Sequence, residues 1–163
     1  MHVGWAPWRM TYIEGPRPEA CIFCVDKGAS RDLVLAEDAA MVVMLNMYPY
    51  NNGHLMVAPR EHVARLGDIS REKYVALMDG LLGTIEIIEQ VFKPQGMNVG
   101  INIGAPAGAG IEDHLHWHVV PRWDGDTNYM PVIAEVKVLP QHLQDTHHRL
   151  LPHFDGWMAE RRR

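Results

Sequence analysis

Residues 114–120, His-Leu-His-Trp-His-Val-Val, alternate three imidazoles with apolar side chains, and this alternation constrains the fold more than anything else in the chain. In a strand, residues i, i+2 and i+4 share one face. His114, His116 and His118 would then stand roughly 6–7 Å apart on one face, twice the rise of a strand residue. Leu115, Trp117 and Val119 point the other way and supply a face to bury. Three histidines side by side make a poor core and a good reactive surface, and Pro121-Arg122-Trp123 follows them directly.

The rest of the chain gives that strand an ordinary setting. At 163 residues it is expected to form a single domain, 1–163, with an N-terminal arm (1–20) and a C-terminal extension (131–163). A chain of this size can bury about 70% of its unfolded surface. The net charge of −5 provides no basic field, so nucleic acid is not an expected partner, and an anionic substrate must be held by local groups. No apolar run approaches the ~20 residues that span a bilayer, so no membrane association is expected. The only two cysteines, Cys21 and Cys24, are too close in sequence to build a disulfide framework, which points to a cytoplasmic protein.

Apolar runs at 33–35 and 41–45, split by Glu37-Asp38, predict a hairpin, and 54–58 predicts a further strand after the Asn51-Asn52-Gly53 turn. Ser70 is the expected N-cap of a long helix carrying apolar residues at helical spacing from Tyr74 to Val91, closed by Pro94 and Gly96. Strands are expected at 98–103 and 132–139, and a short helix at 140–151. His142, His147 and His148 on that helix, and the arginines 161–163, are expected to be solvated. Strands, a helix, then strands again predict an α+β fold with a mainly antiparallel sheet.

An imidazole is largely unprotonated near pH 7 and can attack phosphorus, giving a nucleotidyl-histidine that water or another acceptor cleaves. Neighbouring imidazoles can orient the attacking ring or donate to phosphate oxygens. The small-residue loop 104–110 could bring backbone N–H groups to those oxygens. Histidines at i and i+2 can also chelate a catalytic cation, although 119–123 supply no carboxylate to complete it. Cys21-x-x-Cys24 reads as half of a tetrahedral zinc site, as a redox pair lacking its usual βαβ setting, or as two small buried residues.

His114-x-His116-x-His118 with its apolar continuation resembles the histidine-triad (HIT) superfamily. The resemblance extends to Asn46, at the family's ribose position, and to His54, which supports the triad from a neighbouring strand. It also covers Asn102 and Gly108, Ala109 and Gly110, at the phosphate-contacting positions. It implies His116 as nucleophile, assisted by His114, His118 and His54, and a five-stranded antiparallel sheet with one long and one or more short helices. In a homodimer two such sheets would pair into ten strands. Zinc-binding members pair Cys-x-x-Cys with two histidines, which here implies a structural Zn²⁺ on Cys21, Cys24, His62 and His114. No organic cofactor is expected.

The arm Trp5-Ala6-Pro7-Trp8-Arg9 and the continuation 119–126 resemble the bacterial branch of diadenosine tetraphosphate phosphorylases and ATP adenylyltransferases. That branch implies cleavage of a dinucleoside polyphosphate at its α-phosphate, with phosphate as acceptor. Two residues depart from its pattern. His118 stands where phosphorylases often carry Gln, and Gly110 where many members carry Ser or Thr. A hydrolase acting on dinucleoside polyphosphates or nucleoside phosphoramidates is the alternative, and a non-catalytic adenine-nucleotide-binding module a further one.

Overall fold

The apolar runs at 41–45 and 55–59 lack polar alternation because both of their faces are covered. The computed structural model describes residues 21–24, 31–126 and 139–163. It contains β1 (Val34–Glu37), β2 (Met41–Leu45), β3 (Leu55–Pro59), α1 (Arg71–Phe92), β4 (Gly96–Ile101), β5 (Trp117–Arg122) and α2 (Leu143–Arg161). The strands form one antiparallel sheet in the order β1-β2-β3-β5-β4. This is the expected α+β architecture. The N-terminal arm and all of the strand expected at 132–139 except Leu139, which is not in a strand, lie outside the described residues.

One face of the sheet meets the helices. Val43, Leu45, Leu55, Val57, Trp117 and Val119 pack there with Leu77, Leu81 and Ile88 of α1 and with Leu150, Phe154 and Met158 of α2. Each fully buried side chain of this kind contributes about 1.5–3 kcal/mol of transfer free energy. The opposite face holds a smaller cluster, Phe23, Val42, Met44, Met56 and Ala58, and it is this face that carries His54, His116 and His118. Trp117 is thus a core residue on the helix side, and its alternation with the histidines separates structure from site.

Ser70 caps α1 as expected, its Oγ accepting from Lys73 N at 3.3 Å. The helix ends at Phe92, with Lys93 in the left-handed region (φ 48°) ahead of Pro94. α2 differs from its expectation. It runs through Pro152 to Arg161 because Thr146, Leu150, Phe154 and Met158, spaced by four, form one buried stripe across the proline. Continuous burial outweighs the one backbone hydrogen bond that Pro152 forgoes. His147 is not solvated: its Nε2–H donates to Val34 O at 2.8 Å, at the irregular turn of register in β1. Arg161 reaches Asp38 Oδ2 at 3.2 Å and lies over the Trp157 ring.

The crossing of α1 and α2 depends on Gly83. A Cβ there would come within 2.6 Å of Trp157 Nε1. Alanine's better helix propensity returns about 1 kcal/mol, whereas driving it into the indole costs about 1–3 kcal/mol. Gly83→Ala is therefore expected to lower stability by about 1 kcal/mol, roughly 2–4 °C in Tm for a chain of this size, as read by thermal melting.

Candidate functional site

The three histidines of the motif do not form one row. β5 begins at Trp117, and His114 and His116 lie just ahead of it. His116 and His118 stay together, their ring centroids 5.0 Å apart. His114 turns instead toward the cysteines. A single motif thus feeds two neighbouring sites.

Hydrogen bonds determine which nitrogen of each ring carries a proton. His116 Nδ1–H donates to His114 O at 2.9 Å, so Nε2 holds the lone pair. His116 is buried beside Phe23, with centroids 4.9 Å apart, and burial holds its pKa below the ordinary histidine value. The ring is accordingly neutral at pH 7, the form a nucleophile requires. His54 Nδ1 accepts the Tyr50 backbone N–H at 3.0 Å, which puts the His54 proton on Nε2. That Nε2–H donates to His118 Nδ1 at 2.9 Å. The proton of neutral His118 is then on its Nε2. The Tyr50 ring packs against both, 4.7 Å from His54 and 5.7 Å from His118. One imidazole is left with a lone pair and its neighbour with an N–H, the complement that phosphoryl chemistry needs.

The second site joins Cys21, Cys24, His62 and His114, whose ligand atoms all lie within 4.8 Å of one another. Cys21 Sγ is 3.3 Å from His114 Nδ1, and Cys24 Sγ is 3.3 Å from His62 Nδ1 and 3.8 Å from His114 Nδ1. Zn–S bonds of about 2.3 Å and Zn–N bonds of about 2.05 Å at tetrahedral angles place S and N about 3.5 Å apart. The donor set fits. His114 Nε2–H donates to Pro59 O at 2.8 Å, which leaves Nδ1 as the free lone pair facing the sulfurs and supplies the outer-shell contact typical of a metal-bound imidazole. Burial above all, with His62 and His116 nearby, lowers the His114 pKa to about 4. Burial also pushes the Cys21 thiol above its ordinary value, so a thiolate pair there calls for a cation. These residues could hold a metal.

Asn46, expected at the ribose, sits beside His54, its Nδ2 3.5 Å from His54 Nδ1 and its Oδ1 accepting Tyr48 N–H at 2.9 Å. Asn102 donates to Gly108 O at 3.4 Å and so ties β4 to the small-residue loop. The N–H groups of Gly108 and Ala109 are spent inside that loop, on Ala105 O and Gly104 O at 2.8 and 3.3 Å. Gly108 adopts φ 89°, which explains a glycine there. A cavity of about 350 Å³ lies on the β4–β5 side, lined by Tyr50, Asn51, Asn98, Asn102, His118 and Arg122 among others. It reaches His118 but not His116.

Several residues of this region went unmarked in the sequence. Tyr50 acts through its backbone amide, which leaves no trace in side-chain identity. Asn51 read only as part of a turn. Phe23, wholly buried against His114 and His116, read only as the filling of Cys-x-x-Cys. The Arg122–Asp126 ion pair left no signal either, because i,i+4 charges are neighbours on a helix and this pair closes the turn after a strand.

The HIT domain family model matches residues 27–125. The AP-4-A phosphorylase of Mycobacterium tuberculosis is 39% identical over 153 aligned residues, covering 87% of this chain and 78% of that protein. A hypothetical histidine triad nucleotide-binding protein from Sulfolobus tokodaii shares the fold at a TM-score of 0.68 and 22% identity, over 83% of this chain and 93% of that one. A Zn-bound histidine triad family protein from Mycobacterium smegmatis does so at 0.66 and 22% identity, over 86% and 97%. No described helix is long and apolar enough to cross a membrane.

Proposed function

The chain belongs to the HIT domain family, and from that premise we propose that it is an enzyme that splits a dinucleoside polyphosphate at the α-phosphate through a nucleotidyl-histidine on His116. The observation that carries this reading is the pair of opposite tautomers: a lone pair on His116 Nε2 and a proton on His118 Nε2. His116 Nε2 attacks the α-phosphorus, a P–N bond forms and the P–O bond to the departing polyphosphate breaks. The polyphosphate leaves as an anion whose departing oxygen accepts a hydrogen bond from His118 Nε2–H, and His54 Nε2–H, held on His118 Nδ1, keeps that proton on Nε2. An oxygen of the acceptor then attacks the same phosphorus and releases His116. We assign Asn46 to the ribose, and Asn102 with Gly108, Ala109 and Gly110 to the rest of the nucleotide, the small residues admitting it by close backbone approach because the Gly108 and Ala109 N–H groups close the loop.

Inorganic phosphate is the proposed acceptor, in keeping with the name of the mycobacterial relative. Diadenosine tetraphosphate plus phosphate would then give ATP and ADP, whereas water would give ATP and AMP. Product analysis with and without phosphate decides this. ADP that appears only with phosphate supports a phosphorylase, and equal AMP in both reactions identifies a hydrolase. His118, in place of the Gln often found in phosphorylases, is the residue that favours the second outcome.

Cys21, Cys24, His62 and His114 would hold a structural Zn²⁺, which when bound keeps both thiols deprotonated and ties 21–24 to the segment entering β5. The homodimer would pair β4 edges, since β4 ends the sheet and leaves Val99 exposed.

A further inference from the structure

We propose that Asn51 is a positioning residue for the His54–His118 pair, clamping the turn 50–54 to the end of β5 so that the Tyr50 N–H stays on His54 Nδ1. The inference rests on the reading of His118 as the group that donates to the departing oxygen. Asn51 is buried and spends both of its amide hydrogens across the sheet. One goes to Pro121 O at 3.0 Å and the other to Asp126 Oδ2 at 2.8 Å. Its backbone carbonyl accepts His54 N–H at 3.2 Å. The same residue therefore holds the turn from inside and fastens it to the strand that carries His118, three positions before Pro121.

The anchor at the far end is rigid. Asp126, with a side chain only 10% exposed, receives Arg122 Nε at 2.6 Å, Arg122 Nη2 at 2.9 Å and Trp123 N–H at 3.2 Å besides the Asn51 amide. A bidentate guanidinium fixes the direction of a carboxylate as well as its charge. Arg122 Nη1 continues to Asn98 Oδ1 at 3.0 Å, which brings β4 into the same network. Gly53, at φ +73°, lets the turn close against the Phe92 ring, 3.0 Å from a Cβ position, and puts it in ordinary contact with Pro121 Cγ at 3.5 Å, so the Asn51 amide supplies the polar tie to β5. Releasing Asn51 would free the turn from β5, and the Tyr50 N–H would no longer be held on Nδ1. His54 could then carry its proton on either nitrogen, and His118 with it.

Nitrogen-15 NMR of the imidazoles in wild type, Asn51→Ala and Gly83→Ala tests this without substrate, with signals assigned by single histidine substitutions. Wild type and the Gly83→Ala stability control are expected to show His54 and His118 protonated at Nε2 only. Asn51→Ala is expected to show both rings averaged between tautomers. In parallel, kcat should fall roughly 10- to 100-fold, the range a small misplacement of a reacting group produces, with KM little changed. A folded Asn51→Ala that keeps the wild-type tautomers and kcat overturns the proposal. If Asn51→Ala does not fold, Asn51→Leu, which matches the amide in size but offers no hydrogen to Pro121 O or Asp126 Oδ2, replaces it, with the same averaging expected and unchanged tautomers overturning the clamp. Absence of nucleotide turnover by wild type would count against the enzymatic reading alone, because the tautomers are measured independently of it.

Discussion

His116→Asn is expected to lose roughly 10⁴-fold or more in kcat while nucleotide binding survives, the signature of a group needed only for the chemical step. The structure shows why asparagine is the informative replacement. It is smaller than imidazole yet polar, and its amide can still donate to His114 O, the acceptor of the His116 Nδ1–H. It offers no basic nitrogen to attack phosphorus. The site should therefore keep its shape and lose its nucleophile. Calorimetric titration with a non-cleavable nucleotide reads the binding, and steady-state rates read kcat. An acid-labile adenylylated species trapped on wild type and absent from the variant would support the covalent route. Retention of most of the activity in His116→Asn would remove His116 from the proposed role.

How much of this was legible before the structure follows from which contacts leave a mark on residue type. The alternation at 114–120 did, and it identified Trp117 and Val119 as the buried side of β5. For His114 two readings conflicted: the alternation put it in one row with His116 and His118, which the structure does not show, whereas the resemblance put it with Cys21, Cys24 and His62, which the structure brings together. The His54 tautomer left no mark, because a main-chain amide fixes it. The loop at 104–110 misled in one respect. Small residues suggested N–H groups free for phosphate, yet those of Gly108 and Ala109 close the loop on itself. Helix α2 extends beyond the short helix expected at 140–151 because its continuation through Pro152 depends on what the stripe Leu150, Phe154 and Met158 packs against. Periodicity reports burial well. It reports backbone hydrogen bonds only where a glycine or a cap betrays them.

Removing the metal is expected to destabilise the protein without unfolding it. Freshly purified chain should carry about one zinc, and Cys21→Ser with Cys24→Ser should lose it. A ligand that binds only the folded state at about 1,000 times its Kd contributes about 4 kcal/mol. At roughly 2–4 °C per kcal/mol, Tm should fall by about 8–16 °C. The fold should persist because the main core lies on the other face, between the sheet and the two helices, and includes none of the four ligands. Activity should fall as well, since the residue that offers Nδ1 to the metal site also offers the carbonyl that holds His116 Nδ1–H. Loosening His114 loosens the tautomer of the nucleophile. Elemental analysis, thermal melting and rate measurements on the chelated wild type and the double variant read the three consequences separately. A zinc-free wild type with an unchanged Tm would show that the four residues hold no structural metal, and half-buried Cys21 and buried Cys24 would then be small packing residues beside Phe23.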